Sequence, residues 1–153
     1  MTEPDTDIRP GEMAVQTPAA ADAGLWFVGR IRTPWTTRDA CPRQGDPEAG
    51  PVCRLEIAPR WHAALEGVEA LHRAQVLYWM HAARRDLVRQ SPRSHGAQCG
   101  TFALRSPVRP NPIAVSEVTV LGVEAGTVLV RGLDCLDGTP LIDVKPVRCA
   151  AHR

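Results

Sequence analysis

IAVSEVTVLGVEAGTVLVRGL, Ile113 to Leu133, decides the fold. Val115, Val118, Val120 and Val123 make Ile113 to Val123 read as a long strand. Glu124, Ala125 and Gly126 read as a turn. Thr127 to Leu133 then supplies a hairpin partner, with Val128, Val130 and Gly132 on one face and Leu129, Arg131 and Leu133 on the other. Outward from this hairpin, VCRLEIA (Val52 to Ala58) alternates in the same way and LWFVGRIR (Leu25 to Arg32) reads as a further strand. His72 to His81 carries a buried run, Val76 to Trp79, beside Ala and Arg. It is ambiguous by periodicity and is taken as a strand. Gly100 to Leu104 reads as a short strand, Pro59 to Leu65 as a short helix with proline in its first turn, and Arg84 to Gly96 as a mobile polar loop. Five to seven short strands separated by breaker-rich loops predict a mainly β protein, a small single-sheet barrel with minor helix.

Length and composition bound the rest. The chain has 153 residues, 44% of them hydrophobic, which fits one domain with a real core. Residues 1–24 are rich in Pro, Asp, Thr, Ala and Glu, so a disordered or loosely attached tail is expected there, followed by one barrel domain over 25–150. The formal charge of +1 gives no global attraction to nucleic acid, but Arg73, Arg84, Arg85, Arg89, Arg93, Arg105 and Arg109 make the middle of the chain basic. The sequence has no apolar run long enough for a membrane span and no signal-type segment, so a soluble cytoplasmic protein is expected. Five cysteines without a CxxC pattern imply neither a disulfide framework nor zinc. His95 and Cys99 lack further ligands, and no metal is expected.

Two loops carry chemistry. RSPVRPNP (Arg105 to Pro112) places two guanidinium forks on a path stiffened by Pro107, Pro110 and Pro112. Asn111 can cap a turn there or read a polar edge. DCLDGTPLIDVKP (Asp134 to Pro146) surrounds a Gly-Thr-Pro turn with Asp134, Asp137 and Asp143, followed by Lys145. Carboxylates so placed suit a cationic or zwitterionic guest such as a sulfonium. CPRQG (Cys41 to Gly45) adds a guanidinium and an amide held between proline and glycine. His72, at a strand end, is the remaining candidate. No dinucleotide fingerprint, phosphate loop or serine elbow is present.

PRQG, LHRAQVLYW, GTFALRSPVRPNPI and DCLDGTPLIDVKP occur in the order seen in the TrmO/YaeB/VirR-like (TsaA-like) family, and the chain resembles that family from Leu25 to Val147. The resemblance implies a dimeric β-barrel that binds S-adenosylmethionine and methylates N6 of threonylcarbamoyladenosine, next to the anticodon of tRNA. It places cofactor contacts on Pro42, Arg43, Gln44, His72, Arg73, Arg105, Val115, Asp137, Gly138, Thr139 and Pro140. Arg109, Asn111 and Lys145 become candidates for substrate contact, and His72, Asp134 and Asp143 candidates for the proton acceptor. Ala114 and Val147 stand where the family usually has glycine and tyrosine. Longer members carry an added C-terminal domain. A same-fold methyltransferase with a small acceptor, and a non-catalytic regulatory or nucleic-acid-binding barrel that keeps the cofactor pocket, are the alternative expectations.

Overall fold

The computed structural model describes residues 8–93 and 96–148. Among the described residues nine strands follow one another: β1 (Met13–Ala14), β2 (Gly29–Arg32), β3 (Cys53–Ile57), β4 (Arg73–Trp79), β5 (Leu87–Gln90), β6 (Cys99–Gly100), β7 (Ile113–Glu124), β8 (Thr127–Arg131) and β9 (Pro140–Pro146). They divide between two compact units. One takes its described residues from Met1–Gly24 and Met80–Ala114, the other from Leu25–Trp79 and Val115–Arg153.

The larger unit is a closed six-stranded barrel in the order β2-β3-β8-β7-β4-β9. Its alternating strands turn one row of side chains inward. Ile31, Leu55, Val76, Val118, Val128, Val130 and Leu141 are fully buried in this core. Each such side chain contributes about 1.5–3 kcal/mol of transfer free energy. Closure requires tilt, and the ladder shifts register between Val120 and Gly122 against β8 and between Leu77 and Tyr78 against β9. The hairpin read from Ile113 to Leu133 forms as β7 and β8, with Glu124 opposite Thr127. Alternation ends at Gly132, whose φ of 119° turns the chain, so Leu133 is buried (1% exposed) rather than on the face opposite Val128 and Val130.

Elsewhere the observed elements depart from the expectation in specific places. In LWFVGRIR pairing begins only where the Val28 N–H donates to the Leu141 carbonyl, 2.8 Å. Trp26 stays outside the ladder, 78% exposed, and rests on Trp61 with ring centroids 6.0 Å apart. Pro59–Leu65 is a 3-10 helix with Pro59 in its first turn. That helix ends at Glu66, one residue before Gly67.

The smaller unit holds a three-stranded sheet, β1-β5-β6, that composition did not show. Arg84 to Gly96, expected as a loop, contains β5, paired through Arg89 with both Met13 and Gly100. Residues 94 and 95, and with them His95, lie outside the described residues. Gly100 to Leu104 is not a strand beyond Gly100, because Thr101–Ala103 coils into a 3-10 turn. The N-terminal segment, expected to be loose, supplies β1. There the Val15 N–H donates to Asp86 O at 2.8 Å and the Glu12 carboxylate accepts the Ser91 N–H at 3.2 Å.

The β7–β8 turn contains a strained residue. Ala125 and Gly126 both have positive φ, 47° and 81°, the geometry of a two-residue primed turn that twists with its strands. Glycine adopts it freely, whereas alanine bears a Cβ penalty of about 1–2 kcal/mol, which exceeds the unfolded-state entropy that glycine adds. Ala125→Gly is therefore expected to raise unfolding stability by about 0.5–1 kcal/mol. Equilibrium urea unfolding checks this, and a loss of stability would contradict the turn geometry.

Candidate functional site

Within the barrel unit, the loop between β2 and β3 lies along the segment between β8 and β9, and the two are joined at three points. At the first, Thr33 Oγ1 donates to Cys135 O (2.8 Å), the Thr33 N–H donates to Asp137 Oδ1 (3.1 Å), and the Asp137 N–H donates to Trp35 O (2.7 Å). At the second, the Asp134 charge acts on Cys41. Burial first, and the Asp134 charge next, push the Cys41 thiol upward. At the third, Gly45 meets Gly132 backbone to backbone, so close that a Cβ on Gly45 would overlap the Gly132 carbonyl. CPRQG and DCLDGTP thus form one ridge.

The Asp137–Pro140 turn is rigid for reasons visible in its bonds. Gly138 N–H donates to Ile31 O (2.8 Å), Ile31 N–H to Thr139 O (2.9 Å), and Thr139 Oγ1 to Leu136 O (2.7 Å). Arg30 reaches the Gly138 carbonyl at 3.3 Å, and Arg32 lies 3.8 Å from Asp137. Thr139 is 2% exposed, so its side chain fixes the turn. The exposed Arg43 and Gln44 differ. Among the described residues their side chains have no hydrogen-bond or ion-pair partner, and their polar ends are available to a guest.

The far end of the same loop is also secured. Asp46 accepts the Ala49 and Glu48 N–H groups, both at 2.9 Å, and these bonds hold its carboxyl below the usual range. Glu48 pairs with Arg73 at the start of β4, and Glu117 stands 3.9 Å from the same guanidinium. Arg73, expected as a cofactor contact, is thereby engaged by two carboxylates. His72 beside it is exposed, and its carbonyl accepts the Val120 N–H at 3.0 Å. Lys145 and Asp143 pair with each other at 3.3 Å on β9. Val115 lies near the start of β7, 38% exposed.

Two residues in the barrel escaped the sequence reading. Tyr78 is 2% exposed, donates to Asp134 Oδ1 at 2.8 Å and lies 2.7 Å from Ser116 Oγ. The available signal was a phenol among the inward positions of an apolar strand, Ala74, Val76 and Tyr78. Two thiols also face this interior, and burial raises Cys53 to about 11 and Cys135 to about 12.

RSPVRPNP belongs to the smaller unit, not to the barrel unit that carries the DGTP turn. Its stiffness has more sources than proline. Arg109 folds back on its own loop and donates to Leu104 O and Ser106 O at 2.9 and 3.1 Å. Arg85 donates to Pro110 O at 2.6 Å and to Asn111 Oδ1 at 3.2 Å. Buried Gln90 donates to Val108 O at 2.7 Å and to Thr101 Oγ1 at 2.9 Å. Arg109 and Asn111, expected to touch substrate, have polar atoms occupied in shaping the loop, while Arg105 is exposed.

Comparison with known proteins places this architecture. Residues 30–151 match the model of the tRNA-methyltransferase O N-terminal domain, and the chain belongs to that family. It is 54% identical over 143 residues to the probable S-adenosyl-L-methionine-binding protein VirR of Rhizobium radiobacter, covering 94% of this chain and 81% of that protein. It is 39% identical over 127 residues to the putative S-adenosylmethionine-dependent methyltransferase RcsF of Pseudomonas aeruginosa, covering 78% of this chain and 54% of that one. The crystal structure of TrmO from Pseudomonas aeruginosa superposes with a TM-score of 0.67 at 34% identity, over 87% of this chain and 61% of that one. This chain therefore spans about three-fifths of the solved structure's length. Among the described residues no helix is long and apolar enough to cross a membrane.

The glycine contact joining the two loops is testable. Gly45→Ala is expected to destabilise the barrel by about 1–3 kcal/mol, because the opposing atoms are backbone and cannot swing aside. Urea unfolding of the full chain measures it. A change below about 0.5 kcal/mol, the range of ordinary surface substitutions, would mean that the loops are not in contact there.

Proposed function

We propose that this chain is an S-adenosylmethionine-dependent methyltransferase whose acceptor is N6 of threonylcarbamoyladenosine, next to the anticodon of tRNA. The observation that carries the reading is the joined ridge. CPRQG and DCLDGTP, far apart in the sequence, lie side by side in a chain of this family. The relatives named for S-adenosylmethionine support the cofactor.

The residues present fit that cofactor. The exposed Arg43 fork would hold its carboxylate. Gln44 offers a donor and an acceptor to its polar edges. Asp134 and Asp137 bring negative charge to a ligand that carries positive charge. When bound, S-adenosylmethionine supplies an electrophilic methyl group. The contribution of this chain is to align the acceptor in line with that methyl and to exclude water, effects worth about 7–11 kcal/mol at their upper end. The N6 proton must also leave. Lys145 already engages Asp143, while His72 offers an exposed imidazole with no side-chain partner among the described residues, so we assign the proton to His72.

Calorimetry with S-adenosylmethionine and mass spectrometry of tRNA nucleosides from a deletion strain test this reading together. Micromolar or tighter binding is expected, weakened about tenfold in Arg43→Ala by loss of a charge-assisted contact. Methylated threonylcarbamoyladenosine should vanish from the deletion strain. Binding with unchanged nucleosides would favour a small acceptor or a regulatory barrel, and absence of binding would end the methyltransferase reading.

We also propose a homodimer. The exposed Leu25, Trp26 and Phe27 form an apolar strip of the kind that a second copy covers. Sedimentation equilibrium should give twice the chain mass, and Trp26→Glu should shift it towards the monomer. A monomer at all concentrations tested would refute the dimer.

A further inference from the structure

One polar chain in the barrel interior is more than core. A phenol carries a single proton. Tyr78 commits it to Asp134 Oδ1 at 2.8 Å, so the Ser116 hydroxyl, 2.7 Å away, donates to the phenolic oxygen. The chain has one direction, Ser116 to Tyr78 to Asp134, and ends on an anion. Burial, and then the Asp134 charge, drive ionisation of Tyr78 far upward, so the phenol stays a donor across the working pH range. A phenylalanine would fill the same space without desolvating a hydroxyl. Placing a hydroxyl there makes sense when the carboxylate it holds has a use.

Asp134 has such a place. It lies between Gly132, against which Gly45 packs, and Cys135, whose carbonyl accepts Thr33 Oγ1 at 2.8 Å, so it stands on the stretch that runs along the loop carrying Pro42, Arg43 and Gln44. Its second oxygen, Oδ2, has no hydrogen-bond partner among the described residues. The neighbouring acids are less suited. Asp137 spends Oδ1 on the Thr33 N–H and lies beside Arg32, while Asp143 is paired with Lys145.

We propose that Tyr78 and Ser116 are positioning residues that fix Asp134 beside the CPRQG loop, where its carboxylate pairs with the positive sulfur of a sulfonium ligand. This rests on the methyltransferase reading and deepens it. Asp134 recognises the charge that methyl transfer removes, so the site holds the charged cofactor more tightly than its neutral thioether product. Release of product then follows from the loss of one ionic partner.

The test is calorimetric titration of the full chain with S-adenosylmethionine and with S-adenosylhomocysteine, which differ only in the methyl group and its charge. Asp134→Asn should weaken binding of the sulfonium by about tenfold or more, and of the thioether by less than about twofold. Tyr78→Phe should reduce the preference for the sulfonium by about threefold, and Ser116→Ala should act in the same direction more weakly. Equal losses for both ligands in Tyr78→Phe would reduce the chain to a structural role and overturn the proposal. So would an unchanged preference in Asp134→Asn. If Tyr78→Phe does not fold, Ser116→Ala decides, and an unaltered preference there overturns the proposal. Binding of neither ligand by the unmodified protein would overturn the methyltransferase reading itself, and this inference with it.

Discussion

The contact between the 33–47 loop and the 132–139 segment is the constraint on which the barrel-borne candidate residues depend. Neither stretch has a ladder of its own. Each is held by the other through Thr33 at Cys135 and Asp137, Trp35 at Asp137, and Gly45 against Gly132. Removing any backbone partner would leave a peptide group to be satisfied elsewhere, and few alternatives exist beside a packed barrel. Irregular loops normally contribute mobility. These two give a fixed ridge, which is what orienting a small ligand requires.

The barrel contributes the second half of that rigidity. Ile31 belongs to the core, and its backbone bonds both Gly138 and Thr139, so the DGTP turn is tied directly to a buried strand. Arg73 and the two carboxylates around it secure the opposite end of the loop to β4 and β7. Inside, Tyr78 links a strand residue to Asp134 through a single proton. Polar groups buried in this way are costly unless satisfied, and the Tyr78 and Ser116 hydroxyls each have a partner.

Much of the fold was legible because the barrel strands alternate. Val128 and Val130, or Cys53 and Leu55, mark an inward face by their spacing alone, and the valine-rich hairpin around Ala125 and Gly126 follows from them. The three-stranded sheet was not legible. Leu87–Gln90 is short and flanked by arginines, and its partners are Met13–Ala14 and Cys99–Gly100, two residues each. Strands so short carry no period, and only long-range pairing defines them. Trp26 misled in the other direction, since its β-propensity is overridden by stacking on Trp61 outside the ladder.

For the site, the sequence by itself determined which residue types stand in CPRQG, RSPVRPNP and DCLDGTPLIDVKP, and the family those motifs mark. It also determined that the RSPVRPNP path is stiff, because Pro107, Pro110 and Pro112 restrict backbone angles wherever they stand. Tertiary structure alone decided which polar groups are spent and which remain. Arg109 and Asn111 bond within their own loop, Lys145 faces Asp143, and Thr139 is buried in its turn, while Arg43 and Gln44 stay available. It also brought Tyr78 and Ser116 to Asp134. The physical reason is that a hydrogen bond depends on distance and direction between atoms, and those are fixed only once the chain has closed into a barrel.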